Sequence, residues 1–162
     1  MATATVGIGS NVGDRLQHLS KAKKFLSDLS KSGLRASSIY ISEPVGSSER
    51  NFFNAVVQLQ TDRSPRVFIK QLKQYEADHG RPKDHPRWEA RTIDLDIIAY
   101  GDLVIQKDNL IIPHPEYRQR LFVLLPLREL QTNWVDPETD RPVDELIDEA
   151  PSLIIHKTKL AW

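Results

Sequence analysis

Asp94 and Asp96 are the two residues whose type and spacing most invite chemistry. From Thr92 onward the chain alternates, with Ile93, Leu95, Ile97 and Ala99 on one parity and Asp94, Asp96, Ile98 and Tyr100 on the other. That period of two predicts a strand. Two carboxylates on one strand face repel each other unless a cation neutralises them. Hard divalent cations such as magnesium take carboxylate oxygens, and where phosphates are transferred they are held by one or two carboxylates plus substrate oxygens. Arg81, Lys83, Arg87 and Arg91 lie just upstream. Basic groups beside a carboxylate pair fit a metal-bound polyanion. A solvated strand face paired with the same arginines fits the spacing equally well.

The elements that must position this pair follow from the order of the chain. Ala4 to Ile8 reads as a strand that breaks into a glycine-assisted loop, with Asp14 as the N-cap of a helix. Glycines at 7, 9 and 13 invite a nucleotide-loop reading, but Val12 stands where a dinucleotide fingerprint needs glycine and no Gly-Lys-Ser or Gly-Lys-Thr is present. Leu16, Leu19, Ala22, Leu26 and Leu29 form a helical stripe that Gly33 is expected to stop. Leu34 to Ser42 is predicted as a second strand. In the third, Phe53, Ala55, Val57 and Leu59 share one face, and Phe52, Asn54, Val56, Gln58 and Gln60 the other. Ser64-Pro65 opens a second helix with a stripe at Phe68, Leu72, Tyr75 and His79, ended by Gly80.

Strand, helix, strand, strand, helix, strand is the order of an α+β, ferredoxin-like βαββαβ core, with both helices on one face of a mostly antiparallel sheet. The other face is then free for a site, and Phe52, Asn54, Asp94 and Asp96 share the parity that points to it. Beyond it, Leu103–Ile105 and Leu110–Ile112 suggest a hairpin, His114 lies between two prolines, Val123–Leu130 reads as a packing helix despite Pro126, Asp144–Ala150 as a short acidic helix, and Leu153–Trp162 as a covering segment without chemistry. His114 suits a phosphate contact or a plain turn.

Lys plus Arg and Asp plus Glu each total 22, so nothing indicates bulk attraction to nucleic acid or an acidic membrane. At 162 residues one domain over 1–162 is expected. The absence of cysteine excludes thiolate zinc sites and disulfides and fits a reducing compartment. With no leader-like start and no apolar run of membrane-spanning length, a cytoplasmic protein is the expectation.

Arg-Trp-x-x-Arg-Thr-x-Asp-Leu-Asp at 87–96, with Gly-Ser-Asn near the start, Phe-x-Asn-Ala in the middle and Pro-His-Pro around 114, resembles the 6-hydroxymethyl-7,8-dihydropterin pyrophosphokinase family. The resemblance runs from Gly7 to about Leu130 and keeps the family order. It implies transfer of diphosphate from ATP to the hydroxymethyl oxygen of the pterin in folate biosynthesis, by a monomer with two magnesium ions on Asp94 and Asp96. It further implies that Arg81 and Arg91 act on the triphosphate, that Arg87, Trp88, His114, Arg118 and Arg120 hold ATP, and that Ser42, Val45, Phe52, Asn54 and Phe122 form the pterin pocket. Three positions depart from the family's habit: Phe52 for a frequent Tyr, Glu89 for a small residue, and Pro115 for a Tyr in some relatives. The connection from Gly80 to Ala90 exceeds the usual four to six residues and is expected to close over the magnesium-bound nucleotide. The alternative from another class is a non-catalytic ferredoxin-like module binding nucleotide or RNA on its open face. Such faces present aromatics in their central strands, where this one presents aspartates.

Overall fold

The computed structural model describes residues 1–44, 50–80 and 92–162. The expected positions Val45, Arg81, Arg87, Trp88 and Arg91, the departure at Glu89 and the closing connection lie outside these described residues.

The first strand, β1 (Ala2–Ser10), leads into α1 (Arg15–Leu29) through Asp14, whose carboxylate accepts from the Gln17 amide at 3.1 Å. The helix ends at Leu29, the last residue of its stripe, and not at Gly33. Ser30 caps it, and Gly33, at φ 96°, serves the turn into the next strand instead. The expected second strand is broken into β2 (Leu34–Ala36) and β3 (Tyr40–Ser42), both paired antiparallel with β4 (Phe52–Thr61). Between them three residues on one side, 37–39, face two on the other, 55 and 56, and the Ser37 hydroxyl fills the gap by accepting the Val56 amide at 3.0 Å. Ser64 caps α2 (Pro65–Asp78), which returns the chain to β5 (Asp94–Tyr100).

The sheet order is β5-β1-β4-β3, with β1 antiparallel to both β4 and β5. One face carries Val6, Ile8, Ala55, Val57, Leu95 and Ile97 against Leu19, Ala22 and Leu26 of α1 and Phe68, Leu72 and Tyr75 of α2. Burying a leucine or phenylalanine in this way contributes roughly 1.5–3 kcal/mol each, so this apolar layer fixes where β5 sits relative to α2.

The second face is not wholly free, contrary to the simple two-layer expectation. After the hairpin β6 (Ile105–Lys107) and β7 (Leu110–Ile112) and a single 3-10 turn at Tyr117–Gln119, α3 (Leu121–Leu130) and α4 (Val143–Glu149) pack across it. Their apolar residues cover Val56, Ile98 and Ala99. Ile98 is the extra residue of a bulge, because Val6 pairs with Ile97 while Thr5 pairs with Ala99. The bulge turns Ile98 and Ala99 to the same side and sends Tyr100 to the α1–α2 core, reversing the parity that strict alternation assigns to the last two. The C-terminal segment does more than cover, since β8 (Ile155–Lys157) adds an edge strand to β3. Among the described residues, the sheet end at the start of β5 is left less covered, with Asp94 and Asp96 half-buried.

The turn that delivers α4 is tied to the 3-10 turn by a buried ion pair. Asp136 is fully buried and accepts from Arg118 Nε and NH2, from the Thr139 hydroxyl at 2.7 Å and from the Glu138 amide at 3.1 Å. Burial works against its ionised form, and these donors outweigh it, so its pKa lies below the ordinary 3.8. A depressed carboxylate stabilises the fold above its unfolded pKa and loses that contribution as pH falls through the folded value. Asp136→Asn is therefore expected to cost roughly 2–4 kcal/mol at pH 7 by urea denaturation. The gap to the unsubstituted protein should close as pH drops below about 4; a gap that stays constant with pH would contradict the ion pair.

Candidate active site

The antiparallel register sets two rows of side chains across the open end of the sheet. Asn54 of β4, Gly9 of β1 and Asp94 of β5 form one row; Val56, Gly7 and Asp96 form the next. Partners in register point to the same face. Asp94 is thus separated from Asn54 only by Gly9, which leaves a floor without side chains between them. A Cβ at Gly9 would come no closer than 3.7 Å to Asn54 Oδ1, so the backbone there has space above it. Gly7 has a different reason: its Cβ would lie 3.3 Å from Ile98 Cδ1, in the packed part of the same face.

Asn54 is buried and held. Its Nδ2 donates to the Ser42 hydroxyl at 2.9 Å and to the Tyr40 carbonyl at 3.2 Å, which leaves Oδ1 turned toward the glycine floor. Ser42 pairs with Phe52 in register, so both join Asn54 on this face. Phe122 enters from the first turn of α3 and packs against the cluster around Val56. Four of the five expected pocket residues are therefore on one side of the sheet, and the fifth, Val45, is not described.

Around the aspartates the structure adds two residues that the motif reading passes over. Glu76 of α2 is buried, and its Oε2 accepts the Leu95 amide at 2.8 Å. It also shares a hydrogen bond with Asp94. Burial above all, together with Asp94, pushes its pKa up to about 7, against the opposing pull of Lys73. Lys73, one turn earlier, places Nζ 3.1 Å from Glu76 Oε1 and 3.8 Å from Asp96 Oδ1. Burial and the charge of Asp94 raise the pKa of Asp96 as well. Glu76 sits four residues after Leu72, on the apolar stripe of α2. A charged residue at a stripe position was the available signal.

His114 and Arg120 approach from the other side. Burial lowers the His114 pKa against the pull of Asp96, and its Nδ1 accepts the Glu116 amide at 3.1 Å, which assigns the proton of the neutral ring to Nε2. Arg120 pairs with Glu116 and lies 5.6 Å from the centre of the Phe122 ring. Its charge acts on both Asp96 and His114. Arg118 is not brought into this group, because its guanidinium is turned to Asp136 and Glu138. The residues flanking 81–91 meet at the same end of the sheet: the Thr92 hydroxyl donates to the Gly80 carbonyl at 3.0 Å. A Cβ at Gly80, already at φ 101°, would stand 2.9 Å from that hydroxyl.

Among the described residues no three His, Cys, Asp or Glu side chains form a ready-made metal cage. Two half-buried carboxylates, offering oxygen donors only, nevertheless fit magnesium, which keeps most of its ligands as water and substrate oxygens.

Grouped carboxylates at one end of the sheet, with a basic residue and an imidazole near them, mark the candidate site of this α+β domain. A family model described as 7,8-dihydro-6-hydroxymethylpterin-pyrophosphokinase matches residues 5–132. Over 151 residues the chain is 36% identical to the 2-amino-4-hydroxy-6-hydroxymethyldihydropteridine pyrophosphokinase of Haemophilus influenzae, covering 92% of this chain and 93% of that one. The Aquifex aeolicus protein of the same name is 35% identical over 150 residues, with 92% of each chain covered. A crystal structure of a Plasmodium falciparum HPPK-DHPS triple mutant shares the fold at a TM-score of 0.74 and 16% identity. That match covers 91% of this chain but 44% of the longer one, so the chain spans less than half of that HPPK-DHPS chain. This chain belongs to the 7,8-dihydro-6-hydroxymethylpterin-pyrophosphokinase family. That membership makes it an enzyme and removes the non-catalytic binding module.

The raised pKa of Glu76 has a measurable sign. Native Glu76 holds its proton more tightly than the unfolded chain does, so between pH 4.5 and about 7 this residue contributes a loss of stability to the metal-free protein as pH rises. Glu76→Gln removes that loss. In chelator, its stability relative to the unsubstituted protein is expected to rise by roughly 1–3 kcal/mol across this window. His114 titrates in the opposite sense below its ordinary 6.5, but it is present in both proteins and cancels in the difference. Parallel stability curves for the two proteins would contradict a buried, reluctantly ionised Glu76.

Proposed function

We propose that the chain transfers diphosphate from ATP to the hydroxymethyl group of 6-hydroxymethyl-7,8-dihydropterin, giving AMP and the pterin diphosphate. The observation that carries this reading is the row Asn54, Gly9, Asp94: a held amide and a carboxylate facing each other across a floor without side chains. Within the sheet of order β5-β1-β4-β3, read as a ferredoxin-like core, that row ends at the open rim.

In this reading the pterin lies on the glycine floor between Phe52 and Phe122, its polar edge met by Asn54 Oδ1 and by backbone at Ser42 and Val45. Its hydroxymethyl group then points along the row toward Asp94. Asp94 and Asp96 would hold two magnesium ions, which when bound neutralise phosphate charge and lower the cost of activating the hydroxyl. The hydroxymethyl oxygen gives up its proton to solvent and bonds to the β-phosphorus, the bond from that phosphorus to the bridging oxygen of the α-phosphate breaks, and AMP leaves with that oxygen. Transfer of this type asks the protein for positioning and electrostatics rather than a nucleophile. His114 offers Nε2–H to a phosphate oxygen, and Arg120 adds charge beside it. Family membership supports Arg81 and Arg91 acting on the transferred group, and Arg87 and Trp88 on ATP. Arg118 is better placed to anchor the turn that carries His114 and Arg120 than to touch nucleotide itself, since its guanidinium is engaged by Asp136.

A single turnover resolved by chromatography tests the reaction class. AMP and the pterin diphosphate are expected in equal amounts, with formation slowed at least a hundredfold in Asp96→Asn, by analogy with the loss of a charge-stabilising group. ADP as the nucleotide product would mean attack at the γ-phosphorus and would overturn the reading.

A further inference from the structure

We infer that Lys73 is a built-in counter-ion of the carboxylate group at the start of β5, competing with a divalent cation for Asp96 and so setting how tightly the metal is held. This rests on the reading of Asp94 and Asp96 as metal ligands and goes beyond it.

The geometry is specific. Lys73 lies on α2 between Leu72 and Tyr75, whose side chains are buried and fix that turn of helix against β5. From there its ammonium reaches three acceptors: Glu76 Oε1 at 3.1 Å, the Leu95 carbonyl at 3.4 Å and Asp96 Oδ1 at 3.8 Å. Glu76 is itself anchored to the Leu95 amide, so it holds the ammonium where it can reach Asp96. The Asp96 contact is the longest of the three and the first to yield. Among the described residues, Arg120 and His114 are the other basic groups that act on Asp96, and Arg120 is already paired with Glu116.

A cation arriving at Asp96 therefore meets a site that is partly neutralised. It must displace the ammonium from Asp96 and tolerate a positive charge a few ångströms away. The Lys73 side chain is 45% exposed, so it has solvent to swing into while keeping Glu76. The competition is consequently moderate. A neutral side chain at 73 removes the competitor and tightens metal binding, while the metal-free protein loses its neutralising charge.

The test uses manganese as the probe, titrated into nucleotide-free protein at low salt and followed by electron paramagnetic resonance. Lys73→Met is expected to bind manganese on the order of three- to tenfold more tightly than the unsubstituted protein. The difference should shrink as salt is raised. Lys73→Arg should bind as the unsubstituted protein does. In chelator, Lys73→Met should melt at a lower temperature, and saturating manganese should close that gap. Lys73→Gln, which keeps a donor for Glu76, serves as the second neutral variant if the Met variant folds poorly. Equal or weaker manganese binding by both neutral variants overturns the inference. So would a loss of metal-free nucleotide affinity with manganese affinity unchanged, which would make Lys73 a phosphate contact. Asp96→Asn separates the two levels of the argument. If it binds manganese like the unsubstituted protein, the metal reading falls and takes this inference with it. If it alone loses binding while Lys73→Met is unchanged, only the role of Lys73 fails.

Discussion

The concentration of negative charge at the start of β5 is the constraint to which the rest of the molecule answers. Glu76, Asp94 and Asp96 are brought together where β5 meets α2, and burial raises the pKa of Glu76 and of Asp96. Carboxylates so placed repel each other and are partly stripped of water, which destabilises the folded chain unless positive charge is supplied. The apolar layer under the sheet holds them there regardless. Leu95 and Ile97 point into the core, which forces Asp94 and Asp96 to the opposite face, and Leu72 and Tyr75 fix the helix that delivers Glu76. The fold accepts local electrostatic cost and offsets it by burial elsewhere, a pattern common at functional sites.

The open floor beside that charge is the second half of the arrangement. A central strand normally carries side chains on both faces; here β1 carries Gly7 and Gly9 between the aspartates and β4. In the proposed reading a flat heterocycle lies on the backbone at Gly9, with the held amide of Asn54 at its edge. The C-terminal helices complete the site by closing the rest of that face. They bury Val56 and Ile98, bring Phe122 to the rim, and carry the turn with His114 and Arg120 up against Asp96. The Arg118–Asp136 pair holds that turn to the α3–α4 connection from behind.

Much of this was legible residue by residue. Strict alternation from Thr92 to Ile97 placed the aspartates on one face, and the caps at Asp14 and Ser64 were readable because their side chains accept amides three residues on. The order of strands and helices in the core followed from the two periodicities. What escaped depends on contacts distant in sequence. The bulge at Ile98 puts Ile98 and Ala99 into one apolar cluster with Val56 and residues of α3, and no local signal distinguishes it from continued alternation. The break between Ala36 and Tyr40 is stabilised by a serine hydroxyl that pairs with the neighbouring strand. β8 joins the sheet edge only because the C-terminus returns across the whole domain, and an isolated three-residue strand has no periodicity to read. Glu76 belonged to a helix whose pattern was recognised, but its approach to Asp94 is visible only when α2 and β5 are placed together.

The central claim is that Asp94 and Asp96 share divalent cations with a bound triphosphate. It is tested most directly by anomalous diffraction from crystals of the protein grown with manganese, a non-hydrolysable ATP analogue and the pterin. Two manganese peaks are expected within coordination distance of the Asp94 and Asp96 carboxylates, with the Lys73 ammonium withdrawn from Asp96. Manganese bound elsewhere on the triphosphate, with Lys73 still seated on Asp96 and no peak beside either aspartate, would contradict it.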